Sequence, residues 1–157
     1  YETLEPDQPG TPPRILTYPH DEDLANILSD IKALKEQVHV VVVSMHWGLH
    51  FREGELATYE VKYAKACIDG GADVILGHHQ HILKPIEIYK GKPIFYRLGN
   101  FVFNGFTDDD ANTGWLVQLL IDEERIDWVI HEAKLDKLGI PRYSRMLNKN
   151  TTNTLSP

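Results

Sequence analysis

The chain has 157 residues, 42% of them hydrophobic and 25% charged, which is the composition of an ordinary globular domain able to bury a core. Its formal net charge of -7 and pI near 5.6 leave no basic face for phosphate neutralisation, so nucleic acid is excluded as an expected partner. Cys67 is the only cysteine, which excludes an internal disulfide and predicts a buried thiol, and no apolar run reaches the ~18 residues of a membrane span.

The two ends of the chain predict little regular structure. Residues 1–14 contain four prolines, so we expect residues 1–19 to be loop or disordered. Residues 144–157 are polar, and we expect the same of them. Residues 1–157 are otherwise predicted to form a single domain. Because the chain does not begin with Met, we expect it to be part of a longer polypeptide.

The first half of the chain alternates helices with buried strands. Residues 21–36 place leucine and isoleucine at helical spacing behind three acidic residues that suit the helix dipole, which predicts a helix. Four consecutive valines in HVVVVSM, residues 39–45, predict a strand covered on both faces, as in a parallel sheet. A second helix at 58–69 and a short buried strand at 72–77 follow. This order is typical of a layered α/β fold.

The second half predicts antiparallel strands instead. Residues 86–98 hold two β-rich runs around a Lys-Gly-Lys turn, which is a hairpin signal. Residues 114–122 and 125–135 predict a second pair of strands. The polar and acidic stretch between the two pairs, 104–113, predicts an exposed loop.

Histidine is concentrated at the ends of the two buried strands. Five of the eight histidines lie between positions 46 and 81: His46, His50, His78, His79 and His81. Ligands of open α/β sheets collect beyond the carboxyl ends of the strands, so parallel neighbours would bring both groups of histidines to one edge. Neutral imidazole is a common ligand of borderline metals, and the His-x-His pair at 79 and 81 can point two rings at one centre. Gly77 is expected to let the chain turn sharply there.

Each of these assignments has a structural alternative. His46 could be a packed or capping residue, and the cluster could be a polar loop whose rings bond backbone carbonyls. Asn100 could hydrogen-bond a ligand or could form a turn with the preceding glycine. Glu87 could orient an imidazole or could face solvent from its strand. Arg97 could bind an anion or could carry a cross-strand surface charge.

Four phrases of the chain, in order, resemble the C-terminal half of a known family. They are the strand ending in HWG within VVVSMHWGLHF, then IDGGADVILGHH-x-H, PIEIYKGKPIFY and LGNFVF. Over residues 20–145 the chain resembles the CapA family of bacterial capsule-synthesis, or poly-gamma-glutamate-synthesis, proteins, which are related to the calcineurin-like metallophosphoesterases. The resemblance implies a metallophosphatase-like α/β/β/α sandwich. This chain would be its C-terminal portion, with helix, strand, helix and strand followed by antiparallel strands.

By the same likeness, the histidines correspond to metal ligands of the family. His46 corresponds to the single histidine ligand of the family. His79 and His81 correspond to the late pair, and His78 is an additional donor in front of that pair. The resemblance implies divalent ions of Mn, Fe or Zn type that clamp a phosphoryl or similar group and activate a water. The candidate catalytic residues are His46, His50 and Asn100, although His50 stands where many members have Glu. The implied substrate is a phosphoester or an anionic gamma-glutamyl polymer.

The departures from the family pattern leave two hypotheses. The Gly-Asp and Asn-Asn-His segments that supply carboxylate and Asn ligands in the family are absent from this sequence. Three histidines could hold one zinc-like ion but would not complete a two-metal site. One hypothesis is therefore a metal-dependent, hydrolase-like enzyme of capsule or poly-gamma-glutamate biosynthesis. The alternative is a non-catalytic polymer-binding or assembly subunit that retains the scaffold.

The expected partners follow from the same departures. An N-terminal half of the domain would supply the missing ligands, and other capsule-synthesis proteins are also considered as partners. A homo-oligomer is also considered, because the valine strand would otherwise present an unpaired edge. The compartment stays open between the cytoplasm and the cell envelope of a bacterium.

Overall fold

The computed structural model describes residues 2–4, 14–16, 19–48, 56–103, 111–123, 125–147 and 154–155. Within these ranges there are two helices, α1 (Asp21–Lys35) and α2 (Thr58–Asp69). The strands of the same ranges are β1 (Glu2–Leu4), β2 (Arg14–Leu16), β3 (Val42–His46), β4 (Val74–His78), β5 (Ile86–Tyr89), β6 (Lys92–Phe95), β7 (Thr113–Ile121), β8 (Ile126–Leu135), β9 (Pro141–Leu147) and β10 (Thr154–Leu155). Neither helix combines the length and the apolar character needed to cross a membrane.

The strands form two main sheets. The larger has five strands in the order β10-β5-β6-β4-β3, with β3, β4 and β6 parallel and the β5–β6 hairpin antiparallel. The smaller is an antiparallel meander, β7-β8-β9, and β1 pairs with β2 separately. The α/β class is confirmed, as is the order of helix, strand, helix and strand before the antiparallel strands.

Two apolar clusters lie on opposite faces of the five-stranded sheet. One packs the helices against it and includes Tyr63 and Cys67 of α2 with Ile75 of β4. The other joins it to the three-stranded sheet and includes Val74 of β4 with Trp128 of β8. Because neighbouring residues of a strand point to opposite faces, β4 serves both clusters. The described residues thus form three layers, helices, sheet and sheet.

Helix α2 shows how closely the apolar spacing matches the packing. Its inward residues Tyr63, Ala64, Cys67 and Ile68 are all buried, as their spacing predicts. Burial raises the pKa of the Cys67 thiol to about 11, so it is an unreactive core group and the predicted buried thiol is confirmed. Helix α1 is less deeply covered: Ile31 is buried, whereas Leu34 remains 48% exposed.

The sequence predicts the β5–β6 hairpin correctly but misplaces the start of β3. The β5–β6 turn places Lys90 and Gly91 at φ 50° and 77°, the left-handed pair that a two-residue hairpin requires. Strand β3 begins at Val42 rather than at residue 39 and pairs only with β4 among the described strands. It is therefore an edge strand, and Val42 is 41% exposed instead of covered on both faces.

Both ends of the chain contain strands where the sequence predicts loop. Strands β1 and β2 lie within residues 1–19, and β9 continues to Leu147 before β10. Strand pairing explains the difference. Backbone hydrogen bonds to a partner strand hold a segment in regular structure even when its composition does not favour a strand. Of the predicted loop at 104–113, residues 104–110 lie outside the described ranges.

The outer face of the three-stranded sheet carries exposed apolar side chains. A cross-strand row on that face contains Leu116 of β7, His131 of β8 and Met146 of β9. Leu116 and Met146 are 45% and 54% exposed, and Leu120 on the same face is 46% exposed. No helix among the described residues covers this face.

Asp73 ties together three elements at the amino-terminal end of the five-stranded sheet. Its carboxylate lies 2.6 Å from Lys35 Nζ and 3.0 Å from Lys92 Nζ, and it accepts the Val41 N–H at 2.9 Å. Burial opposes ionisation of Asp73, but these donors outweigh it and hold the pKa of the carboxyl below its usual range. The ionised form therefore stabilises the fold above about pH 4, and this contribution is lost as pH falls through the folded-state pKa.

We expect Asp73→Asn to lower the free energy of unfolding at neutral pH by about 1–3 kcal/mol, because two lysines lose their anionic partner. The variant should also lose less stability than wild type when acidified from about pH 5 to pH 3. Urea unfolding across that range measures both effects. Asp69→Asn is the control, since the Asp69 carboxylate bonds Lys90 and Tyr89 at an exposed position and its loss should change little. Equal responses of the two variants would contradict this role of Asp73.

Candidate metal centre

Strands β3 and β4 carry the histidines to one edge of the sheet. The two strands are parallel and in register over their whole length, so His46 lies directly beside His78 at their carboxyl ends. His79 and His81 follow in the loop after β4. The prediction that both histidine groups emerge at the same edge is confirmed by this register.

The rings of His46 and His79 are in direct contact. His46 Nε2 lies 2.9 Å from His79 Nδ1, and the ring centroids are 4.7 Å apart at an interplanar angle of 63°. With metal–nitrogen distances of about 2.1 Å, two ligands of one ion lie roughly 3–3.4 Å apart. The two nitrogens therefore stand close to the separation that a shared ion requires.

His79 has an unusual backbone conformation. Its φ is 111°, a value that L residues rarely adopt. Such a residue costs about 1–3 kcal/mol of conformational free energy and persists when the surrounding structure imposes it. Strain of this kind is concentrated at functional sites, which agrees with the position of His79 in the histidine cluster.

His81 belongs to a different set of contacts. Its Nδ1 lies 2.7 Å from Asn100 Oδ1, and its ring lies against Phe103 with the centroids 4.5 Å apart. Asn100 is buried, and its Nδ2 also donates to the backbone oxygens of Ala111 at 2.7 Å and of His81 at 3.3 Å. Asn100 thus contacts a candidate ligand and is not only a turn former.

The predicted site residues are brought together only in part. His46 and His79 touch. Burial lowers the pKa of the His78 imidazole, and the charge of the nearby His46 lowers it further. Within the part of the chain that the structure describes, no three His, Cys, Asp or Glu side chains converge closely enough to hold a metal ion. His50 lies outside the described residues.

The turn after His46 is braced by neighbouring side chains. Trp47 donates its backbone N–H to His78 O and its indole Nε1–H to Tyr96 O, both at 3.2 Å. Gly48 donates its N–H to the Tyr59 hydroxyl oxygen at 2.6 Å. These bonds tie the end of β3 to β4, to the end of β6 and to α2, and they fix the backbone from which His46 projects.

A fully buried ion pair lies beneath this turn. Arg97 Nη2 donates to both carboxylate oxygens of Glu60, at 2.6 and 2.8 Å, and neither side chain is exposed. Glu60 also accepts the Ala57 N–H at 2.6 Å, where α2 begins. Gly48, at φ 97°, lies so close that an added Cβ would overlap the guanidinium. The expectation that Arg97 carries a surface charge is therefore wrong.

Two further sequence expectations require correction. Glu87 is buried, but it faces neither solvent nor an imidazole: it accepts the Tyr96 hydroxyl at 2.7 Å and pairs with Lys65 at 2.9 Å. Gly77 lies inside β4 and does not form a turn. A Cβ there would overlap the Tyr96 carbonyl oxygen, so glycine is needed for the close approach of β6.

Sequence reasoning did not identify Glu60 and Tyr96 as supports of the site. One signal was present: Arg97 follows the apolar run PIFY at the end of a buried strand. A charge in such a position requires a buried partner of opposite sign. The identity of that partner depended on the packing of α2, which no local pattern revealed.

Comparison with known proteins shows the family of this chain. The model of the bacterial capsule synthesis protein PGA_cap matches residues 2–105, which is more than half of the chain. The chain belongs to the PGA_cap family. The resemblance to CapA proteins is thereby confirmed, and the observed α/β fold is consistent with part of a PGA_cap domain.

Individual relatives align with shorter stretches of this chain than the family model does. The "PGA biosynthesis protein CapA" of Bacillus subtilis (strain 168) is 46% identical over 74 residues, 47% of this chain and 19% of that protein. The "Capsule biosynthesis protein CapA" of Bacillus anthracis is 44% identical over 70 residues, 45% of this chain and 17% of that protein. A "Probable polyglutamine synthesis accessory protein" of Mycobacterium tuberculosis is 37% identical over 97 residues, 61% of this chain and 25% of that protein. The aligned part thus spans a quarter or less of each relative.

Removal of Arg97 tests the support beneath His46. We expect Arg97→Met to lower the free energy of unfolding by about 3–5 kcal/mol, because Glu60 would be left buried without its partner. Combining it with Glu60→Gln should recover part of the loss, as a double-mutant cycle in urea would measure. Arg125→Met is the control, since Arg125 and its partner Asp122 are both exposed and their pair should matter little. Similar losses in the Arg97 and Arg125 variants would refute the buried support.

The strain at His79 gives a second prediction. His79→Gly and His79→Ala both remove the imidazole, but only glycine adopts φ 111° without steric cost. We therefore expect the metal-free glycine variant to be more stable than the alanine variant by about 1–3 kcal/mol in urea unfolding. A glycine variant no more stable than the alanine variant would mean that the position is not strained.

Proposed function

We infer that this chain contributes to capsule or poly-gamma-glutamate biosynthesis as part of a CapA-like protein with a metallophosphatase-type metal site. The chemistry we propose is hydrolase-like and acts on a phosphoester or a gamma-glutamyl polymer. The observation that carries the proposal is the contact of His46 with His79 at the carboxyl edge of two parallel strands. Family membership supports the biosynthetic context, and the histidine contact supports a bound cation.

The donor set is suited to a divalent ion of Mn, Fe or Zn type. Imidazole nitrogen is a good ligand for such ions, and His46 and His79 present two nitrogens at nearly the separation of a ligand pair. His81 and His78 are the further nitrogen donors of the same edge. We propose that His46 and His79 hold the ion, with His81 and His78 completing the protein's histidine contribution.

A bound ion of this type would polarise a phosphoryl or carbonyl oxygen and would lower the pKa of a coordinated water. In this proposal the residues of this chain bind the ion and orient the imidazole ligands. His46 is fixed by the braced turn that follows it, and His79 is held in place by its imposed backbone. Asn100 orients His81.

The described residues do not supply a carboxylate to the two histidines in contact. We therefore propose that the remaining ligands come from an N-terminal half of the domain or from another chain. Strand β3 supports this, because β4 is its only partner among the described strands, and a parallel strand added on its other side would end at the edge where His46 lies. The aligned part covers only 17–25% of the relatives, so the activity of the whole protein is a proposal.

A second candidate function is favoured by the incomplete ligand set. The described part of the chain lacks a group of three metal-binding side chains, and a relative carries the name of an accessory protein. A non-catalytic subunit that binds or assembles an anionic polymer would need no complete metal site. It would retain the same scaffold.

Metal titration of the 157-residue chain is the first test. We expect Mn²⁺ or Zn²⁺ to bind in calorimetry, and His46→Ala or His79→Ala to weaken binding by at least about 10-fold, since each removes a nitrogen ligand. His131→Ala is the matched control, because His131 lies on β8 and bonds Gln118 away from the cluster. Equal binding by all three variants and wild type would exclude the proposed site.

Activity separates the two candidate functions. The hydrolase proposal expects turnover of a phosphoester or a gamma-glutamyl polymer by a polypeptide that contains this chain and the rest of its domain. That turnover should be abolished by chelator and by His79→Ala. Polymer binding that survives the chelator, without any turnover, would instead support the assembly subunit.

A further inference from the structure

We propose that Asn100 is a positioning residue that fixes the tautomer of His81, so that the proton of the neutral ring resides on Nδ1 and the lone pair on Nε2. The tautomer assignment depends only on the geometry of Asn100 and its neighbours. Its consequence for metal binding rests on the function proposed above.

The orientation of the Asn100 amide follows from its partners. Nδ2 lies 2.7 Å from Ala111 O and 3.3 Å from His81 O. Backbone oxygens only accept hydrogen bonds, so the NH₂ group of the amide must face them. The side-chain oxygen of Asn100 therefore points in the remaining direction, toward the His81 ring.

The tautomer of His81 follows from the orientation of the amide. Asn100 Oδ1 lies 2.7 Å from His81 Nδ1, and an amide oxygen can only accept. Nδ1 must therefore carry the hydrogen. A neutral imidazole has one N–H, so Nε2 is then the nitrogen able to coordinate a cation. The hydrogen bond made by one ring nitrogen commonly fixes the other as a metal ligand.

The contact between His46 and His79 imposes no such choice. His46 Nε2 and His79 Nδ1 face each other, and either nitrogen can be the donor. Each ring can adopt the tautomer that the other permits. The contact of His81 with Asn100, by contrast, assigns the proton to one nitrogen.

Asn100 is itself held by the second sheet. Gly99 has φ 69° and bridges Gly114 at the start of β7, where an added Cβ on Gly114 would overlap the Asn100 carbonyl oxygen. The Asn100 side chain is fixed by Ala111, just before β7. Phe103 packs against the His81 ring. The three-stranded sheet thus determines which nitrogen of His81 carries the proton.

Nitrogen-15 NMR of the histidine rings tests the assignment directly in the metal-free 157-residue chain. At about pH 8, where an ordinary histidine is neutral, two-bond correlations distinguish a protonated Nδ1 from a protonated Nε2. We expect His81, identified by the signal lost in His81→Gln, to show protonated Nδ1. In Asn100→Ala the pattern should change to protonated Nε2 or to an average. The His131 signals, which come from a ring bonded to Gln118, should not change.

The conservative variant and the metal affinity complete the test. Asn100→Asp keeps an acceptor oxygen opposite Nδ1, so protonated Nδ1 should be retained. The variant should be less stable than wild type, because its second carboxylate oxygen would face the acceptor oxygens of Ala111 and His81. Asn100→Ala should weaken Zn²⁺ binding by about 10- to 100-fold, and Asn100→Asp should restore part of it. Protonated Nε2 in the wild-type chain, or an unchanged pattern in Asn100→Ala, overturns the inference. The predicted tautomer in a chain that binds no metal would overturn the metal site proposed for this chain but leave the role of Asn100 intact.

Discussion

The parallel register of β3 and β4 is the constraint on which the candidate site depends. Each residue of β3 lies beside one residue of β4, which places the last residues of both strands, His46 and His78, at the same height. A slip of one residue would turn every side chain of β3 to the opposite face of the sheet. His46 would then point away from His79. The contact between the two rings therefore depends on this pairing.

The same edge combines rigidity with strain. The indole of Trp47, the hydroxyl of Tyr59 and the pair formed by Arg97 and Glu60 hold the turn after His46. His79 is held in a backbone conformation that it would not adopt alone. Rigid support of this type pre-organises ligands, because less conformational freedom is lost when a cation binds. The backbone strain at His79 costs stability, which is a reason to regard this edge of the sheet as functional.

Much of the fold could be predicted from local patterns. Helix α2 and the β5–β6 hairpin match their predicted positions because apolar spacing and a Lys-Gly turn act over a few residues. The start of β3 was misplaced because Val41 gives its N–H to the Asp73 carboxylate, 32 positions away. The buried state of Arg97 was missed for the same reason, since its partner lies on another element.

The candidate site was predictable to a similar degree. Strand ends and the order of the histidines indicated that His46 would lie at the same edge as His78, His79 and His81, and His46 contacts His79 there. The separation of His81 into a group with Asn100 was not predictable, because Asn100 is anchored through Ala111 near the start of the second sheet. Short-range spacing shows which side chains share an edge. It does not show which ring nitrogen faces which neighbour.

The outer face of the three-stranded sheet affects how this protein behaves in solution. Water over the row that includes Leu116 and Met146 contacts apolar carbon, and any surface that displaces it gains free energy. A second copy of the chain, a helix or a detergent micelle would each do so. Protein concentration and additives are therefore variables in every solution measurement, and an apparent affinity or melting temperature has meaning only when both are stated.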